Sequence, residues 1–289
     1  MDKFLADRIQ LTVDNYRLVK EELRNDGDII NHFASLIFSH YEKEIPIYRV
    51  KEIRKNIKLN TTRISPFRGD TLNILSLLIA TVDKEEEEEL IQDIYDVMEL
   101  LEGEGFTSGS YLVLTAFTIS KYTKLKDKKE IINKIKELYI ILKEKYYDIT
   151  NEDDYLLCTL WVINNIHAET VDDFIENIFN HIADSHISSK NGVQALANSI
   201  ILNGSSGEMY RSMEFIQQLQ KRNIKIANQF LPLMGVLSNY NPRRNADIVE
   251  GVIEYLCDEE VEYEYYLDKG FRTIIAIVII LIILFFNIR

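Results

Sequence analysis

The sequence predicts an all-α protein, a helix-hairpin repeat array of α-solenoid type with a period of about 40 residues behind three N-terminal helices. Three observations carry that expectation. The 289 residues include only 4 prolines and 11 glycines while Leu, Ile, Glu and Lys abound, a composition that favours helix. Small residues recur inside short apolar segments at Ser76, Thr115, Thr159, Ala197, Gly235 and Ala276, at spacings of 39, 44, 38, 38 and 41 residues. The amphipathic segments between them open with similar helix-start signals.

Taken in order, Lys3 to Leu23 reads as one amphipathic helix, ended by Asn25-Asp26-Gly27. Ile29 to Tyr41 and Ile47 to Leu59 read as two more, split by Pro46, which cannot continue a helix interior. Asn60 to Gly69 is the longest non-helical connection. Residues 1–64 are expected to form an N-terminal helical cap, because an end repeat exposes an apolar face that needs cover. Residues 65–270 form the expected array.

Within the array, Leu72, Tyr111, Tyr155, Val193 and Leu231 precede the small residue by four positions and share its helical face. Leu75, Leu114, Cys158, Leu196, Met234 and Ile275 sit immediately before it. A small side chain there lets neighbouring helices approach, and the large flanks fill the seam. Longer amphipathic helices are expected at Glu86–Leu101, Lys128–Lys145, Val171–Ala183, Glu208–Gln220 and Ala246–Leu256, each with apolar residues three and four apart. Asp83-x-x-Glu86, Asp127-x-x-Glu130, Thr170-x-x-Asp173 and Ser205-x-x-Glu208 are capping-box-like, their first side chain accepting free N–H groups of the opening turn. Asn241-Pro242 serves the same end with a cap and a proline in the first helical position.

Residues 271–289 are the outlier. Ile274 to Phe286 is apolar without interruption. The stretch 273–288 between Arg272 and Arg289 rises about 24 Å as a helix, short of a hydrocarbon core of about 30 Å. Its phase places Ile274, Ile275 and Ala276 where a sixth apolar helix of the array is due. A packed terminal helix is therefore preferred, with a single-pass C-terminal membrane anchor as the alternative.

Charge narrows the partners. The net charge is −13, from 33 Lys plus Arg against 46 Asp plus Glu. Nucleic acid is excluded as an expected partner, since displacing counterions from phosphates needs clustered cations. A broad anionic-membrane surface is disfavoured equally. The two cysteines, Cys158 and Cys257, lack metal-type spacing and suit a reducing compartment. Acids in the first seven residues, Met-Asp-Lys-Phe-Leu-Ala-Asp, argue against an export signal.

Chemistry-bearing motifs are sparse. His181, Asp184 and His186 are the one local His/carboxylate cluster and the weak metal candidate. His181 and His186 diverge by about 140° on a helix, so a polar helix end is the preferred reading. Glu85 to Glu89 reads as a solvated helix start whose charge opposes the dipole. No nucleotide loop, nucleophile elbow, zinc-protease helix or Rossmann fingerprint occurs, and no cofactor is expected. Phe67-Arg68-Gly69 is the candidate binding loop, with Arg68 suited to a carboxylate or phosphate. The preferred alternative has Phe67 plugging the join and Arg68 capping helix carbonyls. Trp161 and the sixteen tyrosines read as core and groove, while Tyr263, Tyr265 and Tyr266 form an aromatic cluster ahead of the tail, suited either to a membrane interface or to packing in a final repeat.

Ser65-Pro66-Phe67-Arg68-Gly69, an apolar helix, and then Gly105-Phe106-x-x-x-x-Tyr111-Leu112 resemble a family of low-GC Gram-positive bacteria catalogued as a domain of unknown function, number 4003. The resemblance covers roughly residues 5 to 270. It implies a fold and a bacterial cytoplasmic setting, and supplies no catalytic residue. The chain departs from the family at its Ile-rich end. The reading reached is a cytoplasmic helical-repeat protein that binds a protein or peptide partner, a scaffold or adaptor rather than an enzyme. The alternatives are a membrane-tethered form on the inner face of the cell membrane, and a small-ligand sensor or enzyme with a pocket in the groove.

Overall fold

The computed structural model of the protein describes residues 3–123, 127–171, 177, 190–202, 207–224, 226–236 and 241–286. Among these the protein is all-α, with no strand. The helices are α1 (Lys3–Glu22), α2 (Asp28–His40), α3 (Ile47–Asn60), α4 (Asp70–Ile79), α5 (Glu87–Gly103), α6 (Ser110–Tyr122) and α7 (Lys128–Lys145). They continue with α8 (Asp154–Ile163), α9 (Lys190–Leu202), α10 (Gly207–Lys221), α11 (Pro232–Val236), α12 (Pro242–Glu259) and α13 (Lys269–Phe286).

The chain divides into two compact units, one of residues 20–34 and 46–172, the other of 1–19, 35–45 and 173–289. In the first, α3 packs on α4, α4 touches α5 and α6, α5 touches α6 and α7, and α8 packs on α6 and α7. Helices two apart in sequence thus lie side by side, first helix against first and second against second. The other unit repeats this with α9 against α10 and α11, and α12 against α10 and α13.

The small residues of the apolar segments all lie inside. Ser76, Thr115, Thr159, Ala197 and Ala276 have no exposed surface, and Gly235 is buried. Tyr111, expected on the inner face, is instead 47% exposed, and Phe106 and Leu112 are the buried residues beside it. At Gly235 the approach is close enough to require glycine. An added Cβ would lie 2.1 Å from Ser199 Oγ and 3.0 Å from the Ile200 nitrogen. Gly235→Ala is therefore expected to cost about 1–3 kcal/mol through overpacking. Urea unfolding checks this, and Ser199→Ala in the same chain should restore part of the loss by removing the nearest atom. An unchanged midpoint for Gly235→Ala would contradict the close approach.

Two of the expected helix starts form as side-chain caps. Asp127 accepts from the Lys129 N–H at 2.9 Å, and Asn241 accepts from the Arg244 N–H at 3.0 Å with Pro242 in the first turn. Asp83 makes no such bond, because a 3-10 turn, Lys84–Glu86, intervenes before α5. Thr170 lies inside a helix rather than at its cap, for residues 168–171 are already helical and the Val171 N–H bonds the His167 carbonyl. Ser205 and most of 171–183 lie outside the described residues.

The N-terminal helices divide between tasks. α3 packs on α4 and buries Val50, Ile53 and Ile57. The first part of α1, by contrast, belongs to the unit that contains the C-terminal helices. Tyr16 lies 5.8 Å from Tyr263 ring to ring, and Arg17 donates to Glu260 at 2.8 Å and to the Glu259 carbonyl at 2.7 Å. The link from α2 to α3 is tied to α1 as well. Buried Arg8 donates to the Ser39 carbonyl and pairs with Glu42, while Asn15 donates to the Lys43 carbonyl and accepts from the Ile45 N–H.

The hydrophobic tail is a packed helix. Ile275, Ala276, Ile277 and Ile279 have no exposed surface, and Ile274, Ile280, Leu281 and Ile282 are buried. Asp268 caps α13 by accepting from the Phe271 N–H at 3.0 Å, and Phe271 stacks on Phe230. Arg272, the residue that would snorkel to a lipid headgroup, donates instead to the Tyr263 carbonyl at 2.5 Å and to Cys257 Sγ at 3.1 Å. Among the described residues no helix is long and apolar enough to cross a membrane. From Ile274 to Ile282 protein rather than lipid covers this helix, which corrects the anchor reading of 273–288 over that stretch; the side chains of residues 284–286 and all of residues 287–289 lie outside the described residues.

Candidate functional site

The loop singled out by sequence, Phe67-Arg68-Gly69, stands where α3 hands over to α4. Phe67 is buried, with its ring edge-on to Tyr95 at 5.2 Å. Arg68 turns back on α3, whose last carbonyls have no intrahelical partner. Its guanidinium donates to the carbonyls of Lys58 at 3.0 Å, Thr61 at 2.5 Å and Phe67 at 3.0 Å, and to Thr61 Oγ1. Gly69 takes a positive φ of 60°, which lets the chain reverse into α4. The guanidinium is engaged by backbone oxygens, and this geometry directs it at no ligand.

The histidine cluster His181, Asp184 and His186 lies outside the described residues. Among the residues described, no group of three or more His, Cys, Asp or Glu is placed to hold a metal ion. Trp161 is fully buried, and Tyr263 is enclosed while Tyr265 and Tyr266 are exposed.

The feature that sequence reasoning missed is a cleft of about 420 Å³ between α7 and the end of α8. Its floor is apolar, with Ile131 and Leu138 from α7 and Val162 from α8. Its rim carries Asp127, Glu130 and Glu137 on the α7 side and Glu169 opposite, together with Lys134 and His167. Lys134 is paired with Glu130 at 2.5 Å. Four carboxylates against one lysine repel an anion and favour a cationic group. The signal was present in the sequence: positions 127, 130, 134 and 137 form a charged stripe at helical spacing, and charged stripes ordinarily mark a solvated face.

Near this cleft α7 and α8 share an aromatic seam. Tyr155 packs edge-on against Tyr139 at 4.8 Å and Phe106 at 5.0 Å, and burial raises the Tyr139 hydroxyl pKa strongly. Asp154, at the start of α8, has its carboxyl pushed up to about 6, chiefly by burial and further by Asp153, against the Asn151 N–H and Lys143, which hold it down. Burial, with Asp154 adding to it, holds the Cys158 thiol well above its ordinary value, so it stays protonated and serves as core rather than nucleophile.

Asp154 yields a pH prediction. Its folded pKa of about 6 exceeds the ordinary 3.8, so the folded state binds the proton more tightly. Its favourable contribution is present below about pH 4 and is lost as pH rises through about 6. Asp154→Asn, which keeps an acceptor for Asn151, is expected to stabilise the protein at pH 7.5 by up to about 3 kcal/mol. At pH 4 it should change little. Urea midpoints at the two pH values check this; an equal loss at both would mean that the hydrogen bond to Asn151 outweighs desolvation.

Residues 15–283 match the family described as "Protein of unknown function (DUF4003)", and the chain belongs to it. No curated protein and no solved structure matches the chain.

Proposed function

We propose that the protein is a cytoplasmic helical-repeat protein, an α-solenoid-like array that binds a protein or peptide partner as a scaffold or adaptor. The observation that supports this reading is the stacking within each unit, α4 beside α6 beside α8 and α5 beside α7, because stacked hairpins present long continuous surfaces suited to extended partners. Function here rests on architecture, so the test must be direct. In-cell crosslinking of the full-length chain should capture a defined protein that then binds the purified chain in reconstitution. Failure of every captured protein to bind in reconstitution would overturn the reading.

A second reading, a small-ligand sensor, draws on the cleft between α7 and α8. Its acidic rim suits a polyamine. Spermidine should then raise the melting temperature of the protein but not of the Glu137→Gln variant. No shift at millimolar spermidine would remove this alternative.

A further inference from the structure

Between Ile47 and Arg68 the chain carries seven cations and one carboxylate, in a protein whose net charge is −13. Four of the seven are engaged internally: Arg49 with Glu87, Lys51 with Glu22, Arg54 with Asp26, and Arg68 with backbone carbonyls. Lys55, Lys58 and Arg63 are exposed and form no ion pair among the described residues. Beside them stand three large exposed hydrophobic side chains, Tyr48 at 75%, Leu59 at 75% and Ile64 at 96%.

Three of these residues share one face of α3. On a helix, positions 48, 55 and 59 fall within about 40° of one another, opposite Val50, Ile53 and Ile57, which face α4. The line from Tyr48 to Leu59 is about 17 Å long, three helical turns. Lys58 flanks this face, and the exposed Arg63 and Ile64 follow in the loop three and four residues after α3 ends. Glu52 falls on the same face, where its carboxylate meets the Tyr48 hydroxyl, so three exposed cations stand against one carboxylate. The apolar anchors are thus flanked by a net positive charge, complementary to the opposite sign.

We propose that this face of α3 docks an acidic amphipathic helix of a partner protein, about three turns long. Tyr48, Leu59 and Ile64 are the apolar anchors, and Lys55, Lys58 and Arg63 face the partner's carboxylates. The proposal rests on the interaction-protein reading and names the chemistry of the partner. Three free cations fall short of the roughly four to eight that mark an anionic-lipid surface, where each adds about fivefold in affinity. The same number gives little purchase on nucleic acid, against the acidic remainder of the chain.

The test places the photo-crosslinker p-benzoylphenylalanine at position 59 of the full-length chain in the native host, with positions 122 and 147 as controls. The expected crosslink at 59 is to a protein segment with an excess of Asp and Glu. A synthetic copy of that segment should bind the purified chain, and bind the Lys55→Glu, Lys58→Glu, Arg63→Glu variant on the order of tenfold more weakly or less. All three positions are exposed, so the variant should keep the parent melting temperature. A crosslinked segment that is neutral or basic, or an affinity unchanged by the triple substitution, overturns the proposal. So does sedimentation with vesicles containing phosphatidylserine, or a dimer in light scattering that the triple substitution dissolves. Crosslinks at 122 or 147 without one at 59 overturn this proposal and leave the interaction reading standing; no protein crosslink at any position overturns both.

Discussion

The Ile277→Asp chain is expected to lose about 5 kcal/mol or more of folding stability and to fail to give a cooperative transition in the unit that contains α13. Ile277 has no exposed surface. Truncating a buried isoleucine costs about 2–5 kcal/mol through lost transfer energy and the cavity left behind. A carboxylate adds to that, because it must either remain charged in an apolar setting or take up a proton, at a further cost of several kcal/mol. Whole-domain stabilities of about 5–15 kcal/mol leave little margin against such a loss. Urea unfolding followed by circular dichroism reads the effect. A variant as stable as its parent would mean that α13 is not part of the core, which is the result a lipid-borne helix would produce. Ile277→Val in the same experiment should cost only about 0.5–1.5 kcal/mol, showing that size and polarity matter together.

Removing the Arg54 side chain should be nearly as damaging, by about 3–5 kcal/mol for Arg54→Ala. Arg54 donates from both terminal nitrogens to Asp26, at 2.9 and 2.5 Å, and from Nε to Ser76 Oγ at 2.9 Å. The two side chains are 12% and 5% exposed, so truncation strands a carboxylate in a place that water barely reaches. The pair also joins three segments, the turn after α1, α3 and α4, where Ser76 is one of the small buried residues of the apolar segments. The double change Asp26→Asn, Arg54→Met should be milder than Arg54→Ala alone, since it leaves no unpaired charge. Equal losses in the single and double variants would show that packing, and not the stranded charge, dominates. Thermal melts of the three chains decide it.

Helix positions were legible because their signals are local. α1, α3 and α7 begin and end within a residue or so of the boundaries that periodicity implied, and Asp127 and Asn241 cap as their side-chain chemistry requires. Start signals misled where a short turn intervened, as at Asp83, or where the helix had already begun, as at Thr170. Arg68 could be read either as a ligand hook or as a cap. Its partners lie within ten residues, yet only the fold of the loop shows that the guanidinium bends back on α3. The cleft between α7 and α8 escaped notice because a stripe of charge at helical spacing looks the same whether it lines a concavity or meets open water.

The sequence by itself determined an all-α chain, the order of its helices, the burial of small residues at Ser76, Thr115, Thr159, Ala197, Gly235 and Ala276, and membership of its family. These follow from periodicity, caps and side-chain size, which act over a few residues. Tertiary structure alone decided that Arg17 meets Glu260, 243 residues away, and that protein covers Ile274 to Ile282. An apolar run records only that water is avoided. Whether lipid or protein replaces the water depends on which surfaces the rest of the chain brings to it, and that is a property of the packed molecule.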